Sequence, residues 1–138
     1  MGFVSVLKLY ALTAVVFFAI DLVWIGVVAR GFYQRELGHL LRAEAFWPAA
    51  LLFYAIYIAG ILVFAVLPGL GADSLVRAAA LGAFLGLLAY ATFDLTGWAL
   101  FEGFPAIVVV VDLLWGTVLT ASVASAGFAI GRWIGVGS

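Results

Sequence analysis

Apolar residues fill this chain in four long blocks, and polar residues gather in the gaps between them. The blocks run from about Leu9 to Ala29, Phe46 to Leu67, Leu75 to Phe101 and Ala106 to Ile130. A transmembrane helix needs about 20 apolar residues, so each block is long enough to span a bilayer. The gap from Arg30 to Ala45 has a different pattern. Phe32, Tyr33, Leu37, Leu40 and Leu41 alternate at helical spacing with Gln34, Arg35, Glu36, His39 and Arg42, as in a helix lying on a membrane surface. Pro48 sits in the first turn of the second block, and Pro68-Gly69 reads as its stop. The pattern predicts an all-α membrane protein: one domain over residues 1–138, with four transmembrane helices and a short amphipathic interfacial helix, residues 30–45, between the first two. The first block is longer than the apolar core of a signal peptide and contains Asp21, so a retained helix is expected.

Composition narrows the class. Only 9% of residues are charged and 68% are hydrophobic, against about 25% charge in a soluble domain. Nearly all of the chain should therefore lie within the bilayer. A net charge of −1 with six basic residues leaves no nucleic-acid surface. The absence of Cys excludes thiolate chemistry and Cys-ligated metal, and His39, the only histidine, lies outside the spans, against a catalytic triad. No cofactor and no metal are assigned. Lys8, Arg77 and Arg132 fall on one face and Arg30, Arg35 and Arg42 on the other, so basic residues barely decide orientation; the acidic loops tip it to a cytoplasmic N-terminus.

The chemistry is concentrated in three aspartates within the spans: Asp21, Asp94 and Asp112. An ionisable group at membrane depth is costly and marks a functional site by default. Asp21 lies about eight residues before the end of the first span, roughly 12 Å below that face. Asp94 lies about seven residues before the end of the third, and Asp112 about seven after the start of the fourth, each roughly 10 Å down. Antiparallel spans should bring all three into one layer. Three isolated aspartates would cost on the order of 8–10 kcal/mol, a cost relieved by a wet cavity, shared protons or a bound cation. Close carboxylates cannot all be ionised, so at least one is expected to carry a proton at neutral pH.

Each aspartate is followed one turn later by a Trp: Trp24, Trp98 and Trp115. These should share the carboxylate faces. Tyr90, Thr92 and Thr96 are expected as further hydrogen-bonding groups. Tyr54, Tyr57 and Gly60 make a stripe that either packs helices or walls a pocket. The interfacial segment, through Tyr33, Glu36 and His39, is either a solvated connector or a lid that passes protons to the aspartates. Gly82 and Gly86 on the third span, and Gly116, Thr120 and Ala124 on the fourth, form two small-residue ridges for close helix packing, within the chain or in a homo-oligomer.

Asp21-x-x-Trp24-Ile25-Gly26, Phe32-Tyr33-x-x-x-Leu37-Gly38, Pro48-Ala49-x-x-Phe53-Tyr54-x-x-Tyr57, Tyr90-Ala91-Thr92-Phe93-Asp94-Leu95-Thr96 and Asp112-x-x-Trp115-Gly116 recur here in order. Together they resemble a family of small bacterial integral membrane proteins, DUF2177. The resemblance implies a four-span protein of the bacterial inner membrane and no established activity. Similar sequences tend to carry Asn after the Asp-Leu-Thr run, where this chain has Gly97 followed by Trp98.

The residues favour a pocket that binds or transports a small cationic or proton-coupled ligand, because aromatic faces attract organic cations and buried carboxylates exchange protons for them. An enzyme acting on lipid or isoprenoid through the carboxylates is the less favoured reading, with Mg²⁺ or Mn²⁺ as its conceivable partner. A subunit that scaffolds a membrane complex through the two ridges is the third. The partners these readings imply are the lipid bilayer and a small-molecule, ion or lipid ligand.

Overall fold

In the computed structural model, residues 2–42 and 44–136 are described, and every regular element among them is helical. Met1, Ala43, Gly137 and Ser138 of the expected domain lie outside the described residues, as does the Arg30 side chain that entered the charge comparison. Helix α1 covers Phe3–Val23 and continues without a break through a π-helical stretch, Trp24–Ala29, into α2, Arg30–Leu37. Helix α3, Trp47–Ile61, continues through a second π-helical stretch, Leu62–Val66, into α4, Leu67–Gly71. Helix α5 covers Leu75–Leu100 and α6 covers Ala106–Trp133. Four stretches are long and apolar enough to cross a membrane: Phe3–Val27, Trp47–Gly71, Leu75–Leu100 and Ala106–Trp133.

Two boundaries differ most from the sequence reading, and the fourth span also runs on to Trp133. The first helix begins at Phe3 rather than near Leu9, because nothing polar enough to stop it precedes Lys8. The second span passes through Pro68 instead of ending there. Proline removes an N–H and collides with the preceding turn in a regular α-helix. Here the wider π register sits just ahead of it, and the Leu67 N–H bonds to the carbonyl of Leu62, five residues back. The chain then turns at Ala72 to Ser74, where Ser74 Oγ accepts from the Arg77 N–H at 3.1 Å and caps α5.

The tightest packing joins α5 to α6, and the two small-residue ridges supply it. A Cβ on Gly82 would come within 2.7 Å of the Ala124 Cβ and 2.8 Å of the Thr120 carbonyl oxygen. One on Gly86 would collide with the Gly116 backbone and with Thr120 Oγ1. The ridges thus close on one another within the chain, and close approach gives the van der Waals contact that lipid cannot replace. Below the aspartates a dry core forms from Phe17 of α1, Ile58, Ile61 and Val66 of the second span, and Leu119 and Val123 of α6. Large apolar side chains such as Val15, Ile56, Leu88 and Leu114 point outward, as suits a bundle whose solvent is hydrocarbon.

The interfacial segment is shorter than expected. Helix α2 spans only Arg30–Leu37 and lays Phe32, Tyr33 and Leu37 against Phe104 of the preceding loop and Val108 and Val109 at the start of α6. At the opposite end of the bundle Arg132 pairs with Asp73 at 3.2 Å on the surface, and Trp133 is exposed beside it.

Candidate functional site: two cavities about the buried aspartates

Asp21, Asp94 and Asp112 are all buried, and each is placed differently. Asp21 projects from α1 toward α3, where the Tyr54 hydroxyl donates to its Oδ2 at 3.2 Å. The Tyr54 ring is held edge-on to Phe17 and Phe18, at centroid distances of 5.7 and 5.2 Å. The Trp115 indole lies within reach of the same carboxyl. Trp24, one turn after Asp21, stacks on Trp115, one turn after Asp112, with ring centres 4.2 Å apart and planes 8° from parallel. The two Asp-x-x-Trp segments of α1 and α6 therefore face each other across one space.

Asp112 accepts a hydrogen bond at Oδ1 from the Tyr33 hydroxyl of α2. Burial, and next the Asp112 carboxyl itself, hold the Tyr33 phenol above its ordinary value, so it remains a neutral donor. This bond ties α2 to α6. Asp94 of α5 lies beside Asp112. It is only 1% exposed, and neither of its carboxyl oxygens meets a hydrogen-bond donor.

Two cavities share this layer. The larger, of about 420 Å³, is lined by Asp21 and Trp24 of α1 and its extension, Tyr33 and Gln34 of α2, Phe53 and Tyr54 of α3, Tyr90 of α5, and Asp112 and Trp115 of α6. The second, of about 350 Å³, is lined by Phe53, Ala89, Tyr90, Phe93, Asp94 and Asp112. Phe53, Tyr90 and Asp112 belong to both, so they form the wall between a chamber holding Asp21 and one holding Asp94. Tyr90 sits there because Gly116 lacks a side chain: a Cβ at that position would run into the Tyr90 ring. Among the described residues, no Lys or Arg lines either cavity.

Several expected residues lie elsewhere. Trp98 is 52% exposed and lines neither cavity. The buried stripe of α5 steps from Asp94 by three residues to Gly97, where Phe104 packs so closely that a Cβ would lie 3.0 Å from its ring. Trp98 is thereby left on the outer face. Thr92 and Thr96 are also exposed and bond back to their own helix, Thr92 to the Leu88 carbonyl at 2.7 Å and Thr96 to those of Thr92 and Phe93. Tyr57 is buried deeper, exchanging a 2.7 Å hydrogen bond with Thr120 in the core. In α2, Glu36 points to Arg35 at 3.8 Å, and exposed His39 stands near Gly103 of the α5–α6 loop; neither lines a cavity. A Cβ on Gly60 would meet nothing within 4 Å.

Phe53, Gln34 and Leu41 were not among the expected site residues, yet all three line the larger cavity. Phe53 stacks on Tyr57, four residues on, at 5.2 Å and 16°, a spacing visible in the chain. Gln34 and Leu41 belonged to the amphipathic pattern, which did not point to the cavity.

Fold and site together define a small multi-pass membrane protein with an acidic, aromatic-walled cavity between its helices. The chain belongs to the DUF2177 family of predicted membrane proteins, whose family model matches residues 6–129. No curated protein and no solved structure matches it.

Proposed function

We propose that this protein binds, and by virtue of its membrane-embedded site transports, a small organic cation, and that it does so in the bacterial inner membrane. The observation that carries the reading is the lining of the larger cavity: two carboxyls from different helices, Asp21 and Asp112, set among the rings of Trp24, Trp115, Tyr33, Tyr54 and Tyr90. Aromatic faces attract a cation through their quadrupole, most strongly when both are desolvated. Carboxylates supply the opposite charge, and no described basic side chain lines the cavity, which supports a ligand cation as their counterion. A volume of about 420 Å³ suits a drug-sized or smaller molecule.

Binding of tetraphenylphosphonium to the protein in lipid nanodiscs, followed by tryptophan quenching, tests this. Asp21→Asn keeps the acceptor for Tyr54 and removes the charge. It should weaken binding by at least about tenfold, the scale of one desolvated charge contact. Equal affinity in wild type and Asp21→Asn would sink the proposal.

A further inference from the structure

The larger cavity accounts for Asp21 and Asp112 but leaves Asp94 unexplained. Its carboxyl is buried, aimed into the second cavity, and meets no donor at either oxygen. An ionised carboxylate in that position would be desolvated without compensation. The groups that face it are few. Asp112 comes from α6, Tyr90 from α5 lines the same cavity, and Tyr33 from α2 lies near enough to sense its charge. From α3 comes only Phe53, and the loop before α6 contributes Phe104, packed one turn beyond at Gly97. Tyr33 already donates to Asp112, and none of these groups is a cation.

Two neighbouring carboxyls, one of them without any other donor, are stabilised when that one brings its own proton and shares it with the other. Tyr33 donates to Asp112, whereas no described group donates to Asp94. Asp94 is then the member that keeps the proton. We propose that the Asp94–Asp112 pair is a proton-binding site served by the second cavity, distinct from the organic-cation cavity, and that Asp112, as the shared wall, makes proton and cation exclude one another.

The coupling rests on the organic-cation reading above; the proton site does not. The charge balance is simple. When a cation enters the larger cavity it adds one positive charge beside Asp112, and the Asp94 O–H bond breaks to release one proton to water. The total charge of the buried layer is the same before and after, so neither state exposes the bilayer to an extra charge.

The test uses the full chain in nanodiscs. Difference infrared spectroscopy of the ligand-free protein on H₂O/D₂O exchange should show a protonated carboxyl C=O band that disappears in Asp94→Asn. That substitution puts an amide N–H where the acid O–H would be, so the position can still donate toward Asp112 while its titrating proton is removed. Titration with tetraphenylphosphonium in weak buffer should release about one proton per cation bound, with affinity rising about tenfold per pH unit. Asp94→Asn should still bind the cation, release no proton and lose the pH slope. A wild type without the carboxyl band overturns the proton site, and sodium-dependent cation binding in its place would assign the pair to an inorganic cation. Cation binding without proton release, or release unchanged in Asp94→Asn, overturns the coupling. If wild type binds no tetraphenylphosphonium, the organic-cation reading and the exchange fall together, while the infrared band still decides whether the pair holds a proton.

Discussion

The indoles of Trp24 and Trp115 lie face to face, 4.2 Å apart, and join the two helices that carry Asp21 and Asp112. An aromatic pair of this kind contributes about 0.5–1.5 kcal/mol beyond the area it buries. A double-mutant cycle with Trp24→Leu and Trp115→Leu, read by unfolding in mixed micelles, should return a coupling energy in that range. A coupling near zero would mean that the stack holds nothing together. By contrast, Trp98→Leu should leave tetraphenylphosphonium affinity unchanged, because Trp98 faces away from both cavities.

The Tyr33 hydroxyl is the polar tie between α2 and the buried layer. A hydrogen bond to a charged group is worth about 1.5–3 kcal/mol. Tyr33→Phe should therefore speed amide exchange in Arg30–Leu37 by roughly tenfold or more, if the segment opens locally. The pH dependence follows from the raised phenol. Its contribution is present in full below the ordinary value of 10.0 and is lost only as pH climbs through the higher folded-state value. Slow exchange of α2 in wild type, corrected for the intrinsic rate, should hold through mildly alkaline pH. A collapse of protection near neutrality would contradict the assignment of Tyr33 as donor.

The α5–α6 interface tolerates no added methyl where it is closest. Gly86→Ala places a Cβ 2.7 Å from Thr120 Oγ1 and into the Gly116 backbone. Overpacking of this kind typically costs 1–3 kcal/mol, and about 2 is expected here. Gly60→Ala meets nothing within 4 Å and should be neutral or stabilise by up to about 1 kcal/mol through helix propensity. Thermal unfolding of the two variants side by side checks the contrast, and equal effects would contradict it.

Thr13 is fully buried in α1, and its hydroxyl has no partner. Valine has nearly the same shape without the polar atom. Thr13→Val should raise stability by about 1 kcal/mol, because an unsatisfied buried hydroxyl is removed. Loss of stability would reveal a bond to Thr13 that the arrangement of α1 against Gly127 does not provide.

The spans were legible in the chain because lipid imposes a length and a polarity that any membrane helix must meet, whatever its neighbours. The shared layer of Asp21, Asp94 and Asp112 was legible for a related reason: depth follows from helical rise and connection order alone. Which side chains face the cavity was not. On α5 a difference of one residue decides whether Gly97 or Trp98 is buried, and that choice is made by Phe104 folding back from a loop. The passage of the second span through Pro68 likewise depends on the local widening at Leu62–Val66, which no single residue announces. Nor does spacing reveal that Asp112 stands between two chambers, that Tyr33 reaches it from α2, or that Asp94 is left without a donor. Depth is a property of each helix by itself, whereas rotation about the helix axis is set by the contacts between helices. The sequence by itself determined the first, and only the tertiary structure decided the second.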